Sequence, residues 1–195
     1  MLAKKLLSSG AQITFTFVGS SGVYASSITV PTGTQTGDLL VLFDRPIASS
    51  VTLPTGFTSI GSVSSSSSYT LGYGYRIAQV GDASFTSASS RKILMVFRPS
   101  KTINSVSVSG LTSDGSNASP KSLSASTTGA SSVSFLSVTH STGTTADTTS
   151  GSAVEPNTSN GIPLRSFYGI NSSITLTSSD SNPSLLAMAA FVLQA

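Results

Sequence analysis

The chain has 195 residues, no cysteine and a formal net charge of +3, and only 9% of its residues are charged. This length suits one β-domain that folds without cross-links, and the lack of cysteine excludes disulfides, thiol nucleophiles and cysteine-containing zinc sites. The ten cations stand singly or in pairs. They form no basic stripe of the kind that follows nucleic-acid phosphates, so no nucleic-acid partner is expected.

Serine and threonine dominate the composition, with 68 of the 195 residues carrying a small hydroxyl. Such a bias also occurs in disordered linkers and mucin-like chains. Here the hydroxyls alternate with Leu, Ile, Val and Phe, which together make up 50 residues. The pattern predicts a folded β-protein whose solvent faces carry Ser and Thr.

The first eleven residues differ from those that follow. Lys4 and Lys5 give the chain a cationic start, but polar residues 8–12 interrupt any apolar segment of a signal peptide, and no apolar run is long enough for a membrane-spanning helix. We therefore expect no signal peptide and no membrane partner. The predicted organisation is an N-terminal arm, residues 1–11, followed by a single domain, residues 12–195.

Strand patterns begin directly after this arm. Residues 13–17 alternate apolar and hydroxyl side chains, and residues 27–30 repeat the alternation before a proline. Residues 39–43 and 93–97 are apolar on both faces. These two runs predict central strands that are covered on both sides or lie at a subunit contact.

A row of tyrosines lies between the two apolar runs. In residues 69–78, Tyr69, Tyr73 and Tyr75 fall on one face of a predicted strand, with glycines on the other face. A tyrosine face can stack on sugars, but such rows more often pack in a core or an interface. Glycines opposite the rings indicate that another backbone or ring approaches closely there. Tyr69, Tyr73 and Tyr75 are therefore a candidate ligand or interface face, with core packing as the alternative.

The second half of the chain continues the β pattern. Six strands are predicted there, at residues 103–108, 121–125, 133–139, 164–170, 174–177 and 185–193. Two stretches that lack apolar alternation, residues 114–120 and 141–161, are predicted to be long loops. About twelve short strands with frequent turns predict an all-β fold, an antiparallel two-sheet β-sandwich of the jelly-roll type.

No motif for catalysis or metal binding emerges. His140 is the single histidine and no Gly-x-Ser-x-Gly elbow accompanies it, so a strand-end or surface role is favoured over a catalytic triad. Most of the seven acids lie beside turn residues, where Asp commonly bonds the local backbone. Residues 114–117 offer too few oxygen ligands for calcium. We predict no catalytic, cofactor-binding or metal site, and a protein that is not an enzyme.

Four segments carry a resemblance to a known family. They are residues 28–43 (ITVPTGTQTGDLLVLF), residues 54–58 (PTGFT), residues 75–78 (YRIA) and residues 93–98 (ILMVFR). Through these segments, all in the first half of the chain, the sequence resembles small structural proteins of tailed bacteriophage particles with jelly-roll domains. The pattern recurs in head and tail accessory proteins, so it does not choose between these positions.

The resemblance implies a capsid decoration or cement protein, made in the host cytoplasm and placed on the exterior of the phage head. Its partners would be the major capsid protein and further copies of itself, by analogy as a trimer. The expected capsid or subunit contact is the arm, with local capping of its own domain as the alternative. The contact would use Met1, Leu2, Lys4, Lys5, Leu6 and Leu7.

The rival hypothesis is a binding module rather than a shell component. A receptor- or glycan-binding domain of a phage tail or head fibre would use the tyrosine face or the loop at residues 141–161, since long loops on rigid scaffolds often carry binding functions. The sequence shows no stalk or coiled-coil repeat for attaching a fibre tip. We therefore favour the decoration protein.

Overall fold

The computed structural model describes residues 12–46, 50–64, 70–114, 121–127, 129–140, 147–157, 164–178 and 185–195. Within these ranges the chain forms thirteen β-strands and no helix. The strands are β1 (Phe15–Thr29), β2 (Leu39–Pro46), β3 (Thr58–Ser64), β4 (Thr70–Ile77), β5 (Ser84–Pro99), β6 (Ser107–Asp114), β7 (Lys121–Ala125), β8 (Ser132–His140), β9 (Asp147–Thr149), β10 (Ser152–Asn157), β11 (Leu164–Ile170), β12 (Ile174–Ser178) and β13 (Leu185–Gln194).

The strands pair antiparallel and form three sheets. The N-terminal sheet has the order β1-β5-β2-β4-β3, the central sheet has the order β10-β11-β8-β13-β6, and the small sheet has the order β7-β12-β9. The predicted all-β, antiparallel β-sandwich is thus confirmed. A jelly roll is defined by how its strands connect. In this chain the first five strands form one sheet, and the eight later strands divide between the other two sheets.

The main core lies between the N-terminal and central sheets. Phe43 and Phe97 enter it from the N-terminal sheet, and Phe135 and Phe191 enter it from the central sheet. The ring of Phe135 lies 5.9 Å from that of Phe43, 5.5 Å from that of Phe97 and 5.1 Å from that of Phe191, measured between centroids. Aromatic rings bury large areas and gain further energy at these separations, so this cluster holds the two sheets together.

The outer face of the N-terminal sheet is covered by a bend in its own longest strands. Pairing of β1 with β5 is interrupted between Ala25 and Ser27. The hydroxyl of Ser21 donates to the carbonyl of Thr29, eight residues later, because β1 turns back there. Beyond the interruption, apolar residues of the bent ribbon pack on the outer face of β2 and β5. This second cluster contains Ile28, Leu40, Leu42, Ala78, Phe85, Leu94 and Val96.

Residues 50–57 complete the cover over β4. Val51 and Leu53 lie against the backbone of Gly72 and Gly74, and a Cβ atom on Gly74 would come within 2.8 Å of Leu53 Cδ1. The sequence predicted that another backbone or ring approaches the glycines opposite the tyrosine row. The close approach is present, but the approaching groups are the aliphatic side chains of Val51 and Leu53.

The outer face of the central sheet is covered by the small sheet. Ile174 and Leu176 of β12, with Ala125 of β7, pack on Leu136 and Val138 of β8. The described layers are therefore N-terminal sheet, main core, central sheet, third apolar cluster and small sheet. The central sheet is buried on both faces by two other sheets.

The apolar runs predicted as central strands occupy the middle of their sheets. Residues 39–43 and 93–97 are at most 1% exposed, and β13 confirms the strand predicted at residues 185–193. Three predictions differ from the structure. The segments at residues 13–17 and 27–30 belong to one strand, residues 103–106 precede β6 rather than form part of it, and β9 and β10 lie inside the predicted loop at residues 141–161.

Candidate functional site

The described tyrosines of the row, Tyr73 and Tyr75, pack in the main core. Tyr73 is completely buried, and its hydroxyl lies 2.9 Å from Ser137 Oγ of the central sheet. Burial raises the pKa of Tyr73 above its ordinary value, and the hydrogen bond with Ser137 opposes that shift. Tyr75 is partly buried against the same core, and Tyr69 lies outside the described residues. Tyr73 therefore joins two sheets, which is the core role that the sequence left open, and it has no surface on which a sugar can stack.

The predicted arm, residues 1–11, lies outside the described residues. Met1, Leu2, Lys4, Lys5, Leu6 and Leu7 all lie outside the described residues. Their role as a capsid or subunit contact stays a prediction. The described chain starts at Gln12, and the backbone amide of Thr14 donates to Ser100 Oγ, so the first strand is anchored where it begins.

Two acids at turns have a structural role. The carboxylate of Asp38 accepts a hydrogen bond from the backbone amide of Gln35 and pairs with Arg98 at 2.9 Å. The carboxylate of Asp82 accepts from the amide of Gln79 and pairs with Arg76, also at 2.9 Å. Each pair fastens a turn to a strand, as the sequence predicted for acids beside turn residues. Both carboxylates are therefore committed to the fold.

Two buried residues of opposite charge lie at one end of the N-terminal sheet, where the sequence predicted no site. Asp44 of β2 is directly opposite Lys92 of β5, and their side chains are 2% and 0% exposed. Burial raises the pKa of Asp44, and a hydrogen bond from Ser90 and the charge of Lys92 oppose that shift. Burial lowers the pKa of Lys92, and the charge of Asp44 opposes that shift. A buried pair of this kind needs additional hydrogen bonds to offset desolvation.

Lys92 obtains those hydrogen bonds from the bend of the β1–β5 ribbon. Its ammonium donates to the carbonyl of Ala25 at 2.8 Å, to that of Ala88 at 2.7 Å and to Ser90 Oγ at 2.5 Å. The strand ladder is interrupted at this place, so its carbonyls need donors from elsewhere. The ammonium supplies them. Lys92 is thus a structural group with all three of its donors engaged.

Two further cations lie beside this pair. Arg45 and Arg91 are opposite each other on β2 and β5, and both are buried. The Arg91 guanidinium also stacks on the ring of Tyr24, 4.7 Å from the centroid. The dipeptides Asp44-Arg45 and Arg91-Lys92 are visible in the sequence. Only the pairing of β2 with β5 brings these dipeptides together, and it places Asp44 opposite Lys92, 48 positions later in the sequence.

The described residues hold no set of acids, histidines or cysteines that would bind a metal ion. No group of three or more such side chains comes together there. His140 is the last residue of β8, which agrees with the strand-end role favoured by the sequence. The remaining candidate features of the described chain are grooves and exposed faces.

A groove runs beside β3. It has a volume of about 570 Å³. Hydroxyls and a few apolar side chains line it, namely Ser50, Val51, Thr52, Leu53, Phe57, Ser59, Ser62, Ser64 and Thr70. No described residue that lines the groove is charged, and the ring of Phe57 is already packed edge-on against Phe85 at 4.9 Å. The groove therefore offers neutral polar contacts and no group for acid–base chemistry.

The exposed face of the small sheet carries rows of hydroxyls. Ser122 Oγ lies 3.0 Å from Thr177 Oγ1, and Ser124 Oγ lies 2.8 Å from Thr175 Oγ1, so neighbouring strands are linked by hydroxyl pairs. The alternate residues of these strands point into the third apolar cluster. The result is a flat, neutral, hydrogen-bonding face of the kind that composition predicted.

Strand β6, at the edge of the central sheet, is exposed along its length. Residues 107–113 are all exposed, and the set includes the apolar side chains Val108 and Leu111. None of the residues in this segment is charged. This edge and the hydroxyl face of the small sheet are the two described surfaces best suited to contact with another protein.

No stretch that the structure describes forms a helix able to cross a membrane. Comparison of the chain with protein-family models, with curated proteins and with solved structures found no match.

Proposed function

We propose that this chain is a non-enzymatic structural protein of a tailed bacteriophage particle, a decoration or cement protein that stabilises the head shell from outside. In this role the major capsid protein and further copies of the chain are its partners. The proposal rests first on the resemblance of the segments within residues 28–98. One structural observation carries it further: the exposed faces bear hydroxyls where most proteins carry charges.

Neutral hydroxyl faces suit a protein that stands among close neighbours. Burying a charge against a partner removes it from water at a cost of several kcal/mol unless it is well paired. The hydroxyls of Ser122, Ser124, Thr175 and Thr177 are already paired with one another. They can approach another protein surface without stripping water from an ion, so many weak contacts can add up.

The layered core supports the same role. Both faces of the N-terminal and central sheets are covered, and aromatic rings join the sheets. A clamp that resists outward pressure on a shell must transmit force through a stiff body, and close-packed interiors have low compressibility. The three stacked layers provide such a body.

Binding of sugars by a fibre-type domain is the rival function. This hypothesis loses part of its support, because Tyr73 is buried and the predicted loop at residues 141–161 contains two strands. The hydroxyl-lined groove beside β3 remains a neutral surface that a sugar can contact. It lacks a free aromatic platform among its described lining residues, since Phe57 is engaged with Phe85.

Copy number in purified particles tests the proposal. Quantitative mass spectrometry of virions, with the major capsid protein as internal reference, should find on the order of hundreds of copies of a decoration protein, as repeated positions on a symmetric shell require. A few copies, or a few dozen, would instead support the fibre hypothesis. Absence from the particle would refute both.

A second experiment tests the arm. Protein lacking residues 1–7 should bind empty capsids more weakly than the full chain, because Leu2, Leu6 and Leu7 supply apolar contact and Lys4 and Lys5 supply charge. A matched variant, K4A/K5A, separates the two contributions, since only the charged part should depend on salt. Undiminished binding after truncation would show that the arm does not dock the protein.

A further inference from the structure

The outer edge of β6 is a strand edge that no described residue pairs with. β6 hydrogen-bonds to β13 on one side and is the last strand in the order of the central sheet. An unpaired edge presents a row of backbone N–H and C=O groups that can accept another strand, and proteins commonly protect such edges with Lys, Pro or a β-bulge. Residues 107–113 contain no Lys and no Pro, and they contain one bulge.

Two apolar side chains lie along this edge on one face. Val108 is 38% exposed and Leu111 is 36% exposed, an unusual state for large aliphatic side chains in the described domain. Val108 pairs with Leu193, which points into the main core. Leu111 contacts the backbone of Gly61 on the facing sheet, so it also lies on the core side. They reach the same face because of a bulge.

The bulge is at Gly110. β13 places Val192 opposite Ser109 and Ala190 opposite Thr112, so Gly110 and Leu111 together oppose the single residue between them. Gly110 has φ +65°, a left-handed conformation that glycine adopts without strain. The extra residue brings Leu111 back to the face of Val108, three positions earlier.

We propose that β6 pairs antiparallel with β6 of a second copy of this chain, around a twofold axis between Ser109 and Gly110. In this register Val108 of each copy lies opposite Leu111 of the other, so both exposed apolar side chains gain a cross-strand partner on one face. Ser107 lies opposite Thr112 on the other face. The chain already joins strands by Ser–Thr hydroxyl pairs of this kind between β7 and β12.

Charge and symmetry favour a second copy as the occupant. Residues 107–113 carry no charge, and Asp114 at the end of β6 falls opposite Ser105 of the other copy in this register, so the pairing causes no like-charge repulsion. A twofold contact of identical strands closes on itself and does not propagate into a fibre. The pairing makes a dimer with a continuous ten-stranded central sheet, in place of the trimer that the resemblance alone implied. It concerns self-association of the purified chain and stands apart from the particle assignment.

Sedimentation of purified full-length protein over a range of concentrations tests the pairing. The wild type should show a reversible dimer of twice the 19.7 kDa chain mass. The variant V108K/L111K places lysines opposite each other twice, and it should weaken the dimer about 100-fold. V108K/L111E has the same apolar losses but places an ammonium opposite a carboxylate, so it should recover most of the affinity.

Val80→Lys is the matched control, because Val80 is 90% exposed in a turn away from β6. It should leave the dimer unchanged. Hydrogen exchange provides a second readout: amides of residues 107–113 should gain protection at high wild-type concentration, and not in V108K/L111K. A wild type that stays monomeric, a trimer, or a dimer that V108K/L111K leaves intact would each overturn the proposal. Thermal melts of each variant confirm that it is folded.

Discussion

The N-terminal and central sheets each bury two faces, but they cover the second face in different ways. The N-terminal sheet uses its own strands, because the β1–β5 ribbon bends over it and residues 50–57 fill the remaining space. The central sheet uses a separate layer, the small sheet of β7, β12 and β9. The bend uses strands that already belong to the N-terminal sheet, whereas the separate layer over the central sheet takes three additional strands.

The buried polar groups follow the same division. Around the bend of the N-terminal sheet the structure buries ions, including Asp44 and Lys92, and the ammonium satisfies carbonyls that the bend leaves without ladder partners. The central sheet instead buries hydroxyls, namely Ser132, Ser134, Ser137, Thr139 and Ser166. A hydroxyl is far less costly to bury than an ion. At the break in the β1–β5 ladder the donor is therefore an ion, the Lys92 ammonium.

The largest effect is expected where the two sheets meet. Phe135→Ala should lower the free energy of unfolding by about 4 kcal/mol, because it removes a ring in contact with rings of both sheets and leaves a cavity. Because the chain has no tryptophan, far-UV circular dichroism during chemical denaturation measures this change in the free energy of unfolding.

The same experiment tests whether the sheets are one unit. A single cooperative transition is expected in both the wild type and the variant, because the main core is shared. Two separate transitions, with only one shifted by the substitution, would show that the sheets unfold independently. Val80→Ala, at an exposed turn, is the control and should change stability by less than about 0.5 kcal/mol.

The next effect tests the ionic support of the bend. Lys92→Met keeps much of the side-chain volume but removes three hydrogen bonds and the counter-charge of Asp44, so stability should fall by about 3 kcal/mol. Adding Asp44→Asn should recover part of the loss, because the buried carboxylate is then no longer left alone. Val80→Met, at an exposed turn, serves as the comparison. An equally small effect of both substitutions would contradict the proposed role of Lys92.

A smaller effect is expected for the polar link between the sheets. Tyr73→Phe should cost about 1–2 kcal/mol, because it leaves the buried Ser137 hydroxyl without the tyrosine. Ser137→Ala should cost a similar amount. In a double-mutant cycle the two changes should be less than additive, since each removes the same hydrogen bond. Full additivity would mean that the two hydroxyls do not interact.

The smallest effect appears only in alkali. Burial raises the pKa of Tyr73 above its ordinary 10.0, so the folded chain keeps the phenol proton while the unfolded chain loses it. The free energy of unfolding should therefore decline as pH rises past 10, with a contribution from this group of about 1.4 kcal/mol per pH unit. Tyr73→Phe should show a shallower decline. Equal slopes in the wild type and in Tyr73→Phe would contradict the assignment.

Much of this architecture follows from local patterns in the sequence. Residues 39–43 and 93–97 are apolar on both faces, and a strand with two apolar faces is stable only in the middle of a layered sheet. Residues 185–193 have helical propensity, yet they form β13 because the pairing with β8 and β6 overrides propensity. The hydroxyl-coated exterior likewise follows from alternation.

The other features of the fold depend on pairing between strands that are far apart in the sequence, which local patterns do not show. The Gly- and Ser-rich residues 19–22 look like a break between strands, but continuous pairing with β5 holds them extended. β9 and β10 have few apolar residues, so their backbone bonds to β12 and β11 rather than their side chains define them. The buried charges depend on register, which places Asp44 opposite Lys92, and the Lys92 hydrogen bonds exist only after the ribbon bends.

The strand order of the central sheet has a consequence for how the protein is made. β13 lies between β8 and β6, so these two strands have a gap between them until β13 arrives. A ribosome adds about 5–20 residues per second, and the 45 residues from His140 to Leu185 therefore take a few seconds to appear. During that interval the apolar faces of β6 and β8 are open to the surroundings. The nascent chain is thus most exposed to wrong pairing just before its central sheet closes.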